Sequence, residues 1–343
     1  MTKPIGIDIF SGCGGLTLGL KRAGFRVIGA VEIDPLAAET YKANHKRIAL
    51  WVQDIRTLSA RQMMRRLKLR RGQLDLLAGC PPCQGFSAMT TLNGAIKRND
   101  PRNDLVFEFL RFVRALRPKT VMMENVPDIA KNKRITQFLA EMEGLGYRCN
   151  HSVLNAADYG VPQRRRRFIL LAGKHKKIPF ARRAVRKRSV REAILRLGAV
   201  GKRDALHNIP ERRSSKTMRL IRSIPRNGGS RTQLPSHRQL RCHRKCDGFK
   251  DVYGRLSWDK VAPTITGGCC NPSKGRFLHP AEHRAITLRE AALLQTFPRK
   301  YVFSLRRGKF AAAQLIGNAL PPEFVRRHAK SVLRSLRQHH GKF

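Results

Sequence analysis

Carboxylates are scarce in this chain. Asp and Glu number 23 against 70 Lys and Arg, a formal charge of +47 over 343 residues. A folded core carrying that charge needs polyanionic company or strong counterion screening. Nucleic acid is the natural partner, because each neutralised phosphate releases condensed counterions. No apolar run reaches membrane-spanning length, which argues against a membrane partner. The opening MTKPIGIDIF has no signal-peptide pattern and runs directly into a strand pattern. Eight cysteines are too few for a disulfide scaffold, and without an export signal the thiols are expected to be reduced. These absences predict a cytoplasmic protein. Internal repeats are absent too. Hydrophobic residues make up 41%, enough for a real core in one large domain or two ordinary ones.

The basic excess is uneven. Residues 161–250 hold 28 Lys and Arg against four carboxylates, about half the net charge in about a quarter of the chain. Before that region, strand and helix patterns alternate. IGIDIF (5–10), FRVIGAVEI (25–33), IALWVQDI (48–55), LDLLAG (74–79), TVMMENV (120–126) and RFILLAG (167–173) read as strands. Helical patterns end at Gly24, start at Pro35 and run over 104–118. The alternation predicts an α/β fold with a doubly wound, mostly parallel sheet. From about 180 to 285 the pattern weakens into a loop-rich basic stretch, which reads as a separate small domain. Thr287 and Glu290 have capping-box spacing and predict a helix start. The segment 321–338 places Phe324, Val325, Ala329, Val332, Leu333 and Leu336 on one helical face.

The turn DIFSGCGGLTLG contains Gly12, Gly14, Gly15 and Gly19, but Thr17 stands where a clean G-x-G-x-x-G needs its last glycine. Such a turn admits a ligand to the backbone and the helix N-terminus, or serves only as a tight connection. Glu32, 18 residues after Gly14 and at the end of the second strand, suits ribose hydroxyls. Asp54 after the third strand would meet an adenine amino group or cap a helix. Together these point to an adenosine-bearing cofactor without choosing among such cofactors.

LAGCPPCQGFSAM (77–89) holds Cys80 and Cys83 in C-x-x-C spacing, compatible with a redox pair, half a zinc site or one nucleophile beside an unrelated thiol. Cys83 follows a strand at the carboxyl edge of the sheet, where open α/β folds bind ligands. Glu124 ends another strand at that edge. It is either an acid that donates to a ring nitrogen or a structural partner for an arginine. In VPQRRRRFILL, alternate residues of an extended segment share a face, which pairs Arg165 with Arg167, although spacing alone leaves Arg164 and Arg166 open. Cys242, Cys246, His243 and His237 match no strong zinc spacing, and no metal is expected.

These motifs, in this order, resemble the C5-cytosine-specific DNA methyltransferase family over nearly the whole chain. DIFSGCGGLTLGL resembles its cofactor loop, GCPPCQGFS its nucleophile motif, ENV its catalytic Glu motif and QRRRR its Gln-x-Arg-x-Arg motif. VAPTITG (261–267), ITLREAALLQTFP and IGNALPP (316–322) resemble the later motifs. The resemblance implies a Rossmann-like S-adenosyl-L-methionine-dependent methyltransferase sheet with a second, smaller, basic target-recognition domain. It implies a catalytic domain over 1–180 plus 308–343, a target-recognition domain over 181–285 and a connecting region over 286–307.

The implied reaction is transfer of a methyl group to C5 of a flipped-out cytosine in double-stranded DNA through a Cys83–C6 adduct, with Glu124 at N3 and Arg165 and Arg167 as the other catalytic residues. The implied cofactor residues are Phe10, Gly12, Gly14, Gly15, Leu16, Glu32, Ile33, Asp54, Ile55, Pro82, Asn103, Leu105 and Asn318. The implied DNA-binding residues are Gln84, Gly85, Ser87, Arg241, Arg244 and Lys245. A monomer located at the nucleoid is implied, solitary or with a restriction endonuclease encoded nearby. A tRNA cytosine methyltransferase of the same superfamily usually carries a Cys-Phe-Thr signature, absent here. An inactive DNA-binding homologue would not need Cys83, Glu124 and both arginines. A thiol oxidoreductase leaves Glu32, Glu124, QRRRR and the basic region unexplained.

Overall fold

The computed structural model describes residues 2–82, 104–197, 204–244 and 250–340. They form two units. One comprises residues 1–159, 166–183 and 320–343, the other 160–165 and 184–319.

The first unit is built on a seven-stranded sheet in the order β3-β2-β1-β4-β5-β7-β6. Its elements are β1 (Ile5–Ile9), α1 (Gly15–Ala23), β2 (Arg26–Glu32), α2 (Pro35–Asn44), β3 (Ala49–Val52), α3 (Ala60–Arg66), β4 (Leu76–Gly79), α4 (Leu105–Leu116), β5 (Thr120–Asn125), α5 (Lys133–Gly144), β6 (Tyr147–Asn155) and β7 (Arg166–Lys174). The first five strands are parallel, and β7 runs antiparallel between β5 and β6. Leu76, Leu77, Val121, Met122 and Met123 are fully buried because helices cover both faces of the central strands. Pro35 stands at the first helical position of α2, and the Asp34 side chain caps its N-terminus. Gly24 in the left-handed region closes α1. Helix α4 closes on Arg117, also left-handed, one residue before the Pro118 that the sequence marks as its stop.

The last helix, Pro322–His340, packs on α1. Gly19 lies at the crossing, where a Cβ would stand 2.4 Å from Val325 Cβ and 2.7 Å from the Pro322 carbonyl. Gly19→Ala is therefore expected to destabilise the protein by about 2–3 kcal/mol through overpacking, read as a lower midpoint in urea unfolding. An unchanged midpoint would contradict this crossing.

The second unit has few regular elements. Its helices are Val190–Ile194, Ser215–Ser223, Arg241–Arg244, Leu288–Leu294 and Gly308–Asn318, with short 3-10 turns and isolated bridges between them. Thr287 and Glu290 form the full capping box that their spacing predicts. Arg255 is completely buried and donates to the carbonyls of Ile221, Ile224, His279 and Glu282 and to His283 Nδ1. A buried cation solvated by backbone oxygens ties these loops together, where no sheet is formed among the described residues.

Several boundaries differ from the sequence reading. Residues 160–165 and 308–319 lie in this second unit rather than with the catalytic domain, 181–183 lie in the first unit rather than with the recognition domain, and 286–307 join the second unit instead of standing apart. Helix Gly308–Asn318 is held there by Gln295 Nε2, which donates to the Ile316 and Ala319 carbonyls (2.7 and 3.3 Å). The backbone of Gly317 also lies so close to Thr266 and Gly267 that a Cβ would stand 2.2 Å from both.

Among the described residues, no helix is long and apolar enough to cross a membrane, and no cluster of His, Cys, Asp and Glu is suited to a metal ion.

Candidate active site

The glycine turn lies at the carboxyl ends of β1 and β2. Phe10, Gly12 and Gly14 all have positive φ (63°, 53° and 92°), so the chain reverses sharply before α1. Phe10 adopts this conformation despite its side chain, a local strain of the kind that collects at ligand sites. Gly15 and Leu16 are buried in the first turn of α1. The Glu32 carboxylate spans the turn. Its Oε2 accepts from the Gly12 N–H at 2.6 Å, and its Oε1 accepts from the Ile33 and Asp34 N–H groups at 3.0 and 2.8 Å. Burial pushes the Glu32 pKa up, and those N–H donors oppose the shift. A Cβ at Gly12 would meet nothing within 4 Å, and Ile33 is 60% exposed beside the acid. An open glycine turn, an acid at the strand end and an exposed apolar side chain beside it fit an adenosine-bearing group.

Asp8 supports this turn from below. It is fully buried and accepts from the Thr17 hydroxyl at 2.6 Å, while Thr17 also meets Tyr41 Oη at 2.9 Å. Burial raises the Asp8 pKa from 3.8 to about 7, against the lowering effect of Thr17. The sign follows from proton binding. Between about pH 4 and 7 the unfolded chain releases this proton and the folded chain keeps it. The group's contribution to stability is full below its unfolded pKa and is lost as pH rises through about 7. Asp8→Asn is thus expected to remove a pH-dependent loss of the order of 4 kcal/mol between pH 4 and 8. Urea unfolding of the two proteins across that range checks this, and identical pH slopes would refute it.

Asp54 follows β3, and its carboxylate is engaged by Arg56 through both the side chain and the backbone N–H. It does not cap α3, since Ser59 does. Ile55 is buried, and its carbonyl accepts from Arg111. Leu105 is buried at the start of α4.

A second set of groups gathers where β4 and β5 end. Asn125 is buried and donates to the Pro81 carbonyl at 3.0 Å, which fixes the Pro81–Pro82 turn against β5. Glu124 pairs with Arg167 of the neighbouring β7, Nε to Oε1 at 2.8 Å, with the side chains only 10% and 17% exposed. The Cys80 thiol also bonds to Glu124, and its pKa is driven well above the usual thiol value, first by burial and then by the Glu124 charge. At neutral pH Cys80 is therefore a protonated donor and no nucleophile. Cys83, Gln84, Gly85, Ser87, Asn103 and Lys245 lie outside the described residues.

The QRRRR run alternates strictly. Gln163 and Arg165 are buried, Arg164 and Arg166 are exposed, and Arg167 is largely covered. Spacing leaves the choice among four arginines open, and Arg165 and Arg167 are the two that the fold covers. In the second unit, Arg165 donates to the Ile265 carbonyl at 3.1 Å. Gln163 donates to the Leu294 carbonyl and Gln295 Oε1 and accepts from the Ile265 N–H. Gln295 passes the connection on to residues 316–319, so two buried amides join QRRRR, VAPTITG, LLQTFP and IGNALPP. Asn318 ends its helix exposed in this unit. The helix Arg241–Arg244 carries Arg244, exposed and donating to the His237 and Gln239 carbonyls.

A family model for C-5 cytosine-specific DNA methylases matches residues 5–334. The chain belongs to that family. The type II methylase M.HgiDII of Herpetosiphon aurantiacus is 38% identical over 96% of this chain and 95% of its own. The type II methyltransferase M1.HphI of Haemophilus parahaemolyticus is 36% identical over 96% of this chain and 86% of its own. Among solved structures, a candidate DNA modification methyltransferase encoded in an E. coli prophage superposes with a TM-score of 0.70 at 27% identity, covering 97% of this chain and 99% of that one. The seven-stranded sheet is thus the Rossmann-like sheet of the S-adenosylmethionine-dependent methyltransferases. Within this C5-cytosine methylase, Asn125 and Gln295 are two polar side chains to which the sequence motifs assign no role. Both stand inside recognisable motifs, ENV and LLQTFP, but act on carbonyls distant in the chain.

Proposed function

We propose that the chain transfers a methyl group from S-adenosyl-L-methionine to C5 of a flipped-out cytosine in a specific sequence of double-stranded DNA. The observation that carries this reading is the Glu124 arrangement. An acid at the end of β5 is clasped by Arg167, while its neighbour Asn125 holds the Pro-Pro turn that leads into Cys83.

The Cys83 thiolate adds to C6 of the base. Glu124 takes up a proton as the Cys83 thiol gives one up and donates it to N3, and Arg165 bears on the carbonyl oxygen at O2, so the charge pushed into the ring is compensated and C5 becomes nucleophilic. Arg167 holds Glu124 in place. The glycine turn would hold the cofactor, which would supply an electrophilic methyl group on its sulfonium and leave as the neutral thioether. Glu32 would take the ribose hydroxyls, and Phe10, Ile33 and the residues around Asp54, Ile55 and Leu105 would line the rest of the site. Once C5 carries the methyl group, a base such as water takes the C5 proton, the electron pair of that bond re-forms the C5–C6 double bond, and the C6–S bond breaks to release the Cys83 thiolate. Pulling the base from the duplex costs a few kcal/mol, which phosphate contacts from the basic residues of 184–319, Arg241 and Arg244 among them, offset.

The type II names of the relatives support a place in a restriction–modification system. A cognate endonuclease encoded nearby, and a monomeric methylase acting on chromosomal DNA, are part of the same proposal. Labelled S-adenosylmethionine offered separately to duplex DNA and to tRNA, with bisulfite sequencing of the DNA, tests the reading. Label at C5 of cytosine in one short sequence is expected. Label on tRNA and none on DNA would overturn it.

A further inference from the structure

In the sheet unit, the edge opposite Glu124 is strongly cationic. The chain enters β1 to β6 and leaves β7 at that edge, through residues 2–4, 24–25, 45–48, 67–75, 117–119, 145–146 and 174–177. These segments contain eleven Lys and Arg and a single carboxylate, Asp75. Asp75 is already engaged, by Lys119 Nζ at 2.8 Å and by the Ile5 N–H at 2.7 Å. The imbalance exceeds what helix dipoles ask for, since these cations stand mostly in the connections and not in the last helical turns. Arg71, Gly72, Arg117 and Lys174 line one open depression of about 310 Å³. Arg117 is fixed there by its left-handed backbone and by donation to the Leu145 carbonyl at 2.9 Å. Among the described residues, neither Arg71 nor Lys174 pairs with a carboxylate.

We propose that this edge is a second phosphate-binding surface, which holds a DNA segment other than the one being methylated. The proposal rests on the reading of the chain as a DNA methyltransferase. It separates two segments because the strands between this edge and the Glu124 edge span four to nine residues, roughly 13–30 Å. A duplex is stiff over about 150 base pairs, so one that presents its cytosine at the Glu124 edge does not turn around the sheet to reach the other edge. The occupant is a separate duplex or a distant stretch of the same long molecule. Such a surface lets the protein pass between segments while it searches for its site.

The test compares the intact protein with the double variant Arg71→Gln, Lys174→Gln. Both side chains are at the surface and outside the proposed catalytic machinery, and Arg117 is kept because it supports the backbone. Titration with a short random-sequence duplex at low salt, read by sedimentation, is expected to show one duplex fewer bound per chain in the variant. With long DNA, the plot of log K against log salt is expected to become less steep by about 2. Methyl transfer to a short duplex should stay unchanged. Equal stoichiometry and equal salt slopes in the two proteins would overturn the second surface. Absence of methyl transfer in both proteins would instead overturn the reading beneath it.

Discussion

Serine in place of Cys83 is expected to abolish methyl transfer, a loss on the order of 10⁴-fold or more, while duplex binding stays within a few-fold. The attack on C6 needs a thiolate, and a serine hydroxyl has neither its acidity nor its polarisability. The companion substitution gives this result its meaning. Cys80 is two residues before the Pro82 that precedes Cys83, yet its environment is the opposite of an activating one. Burial and the Glu124 charge hold it as a thiol that donates to that carboxylate. Cys80→Ser keeps a donor of similar size, so activity is expected to fall less than about tenfold. Single-turnover transfer and gel-shift binding, measured on both variants, check this pair. Equal loss in the two would sink the assignment of one nucleophile and restore a role for the C-x-x-C pair.

The parallel half of the sheet is legible in the sequence because its strands are buried on both faces. β4 and the middle of β5 read as apolar runs, β1 is interrupted only by Gly6 and Asp8, and glycine or proline marks where α1 ends and α2 begins. β6 is not legible. Its residues YRCNHSVLN lie at the sheet's edge with only Tyr147 buried, so packing imposes no pattern on them. Helix α3 is too short and basic to show a face, with Ala60 and Met63 alone buried. The reversed direction of β7 is invisible for another reason, since alternation in a strand carries no polarity. For the site, spacing brings Glu32 to the glycine turn, where its Oε2 accepts from the Gly12 N–H. It fails for Asn125 and Gln295, because their partners are carbonyls 44 and 21–24 residues away, and a backbone acceptor leaves no mark on the sequence.

Glu124→Gln is expected to lower the rate of transfer by about 10²–10⁴-fold, as removal of a positioned proton donor does, with little effect on cofactor binding. The same change should cost about 3 kcal/mol of stability, because Arg167 would keep its charge in a nearly enclosed position without a counter-charge. These two losses have different origins, and a double variant separates them. Glu124→Gln with Arg167→Gln replaces the ion pair by two neutral amides that can bond to each other, so most of the stability should return. The activity should not return, since no acid then faces the ring nitrogen. Chemical denaturation and single-turnover transfer on the two single variants and the double complete the cycle. If activity recovers together with stability, Glu124 serves only to hold Arg167, and the proton donor must be sought elsewhere. If stability stays low while both charges are gone, the pair is not what fixes the ends of β5 and β7, and Asn125 alone anchors the Pro-Pro turn.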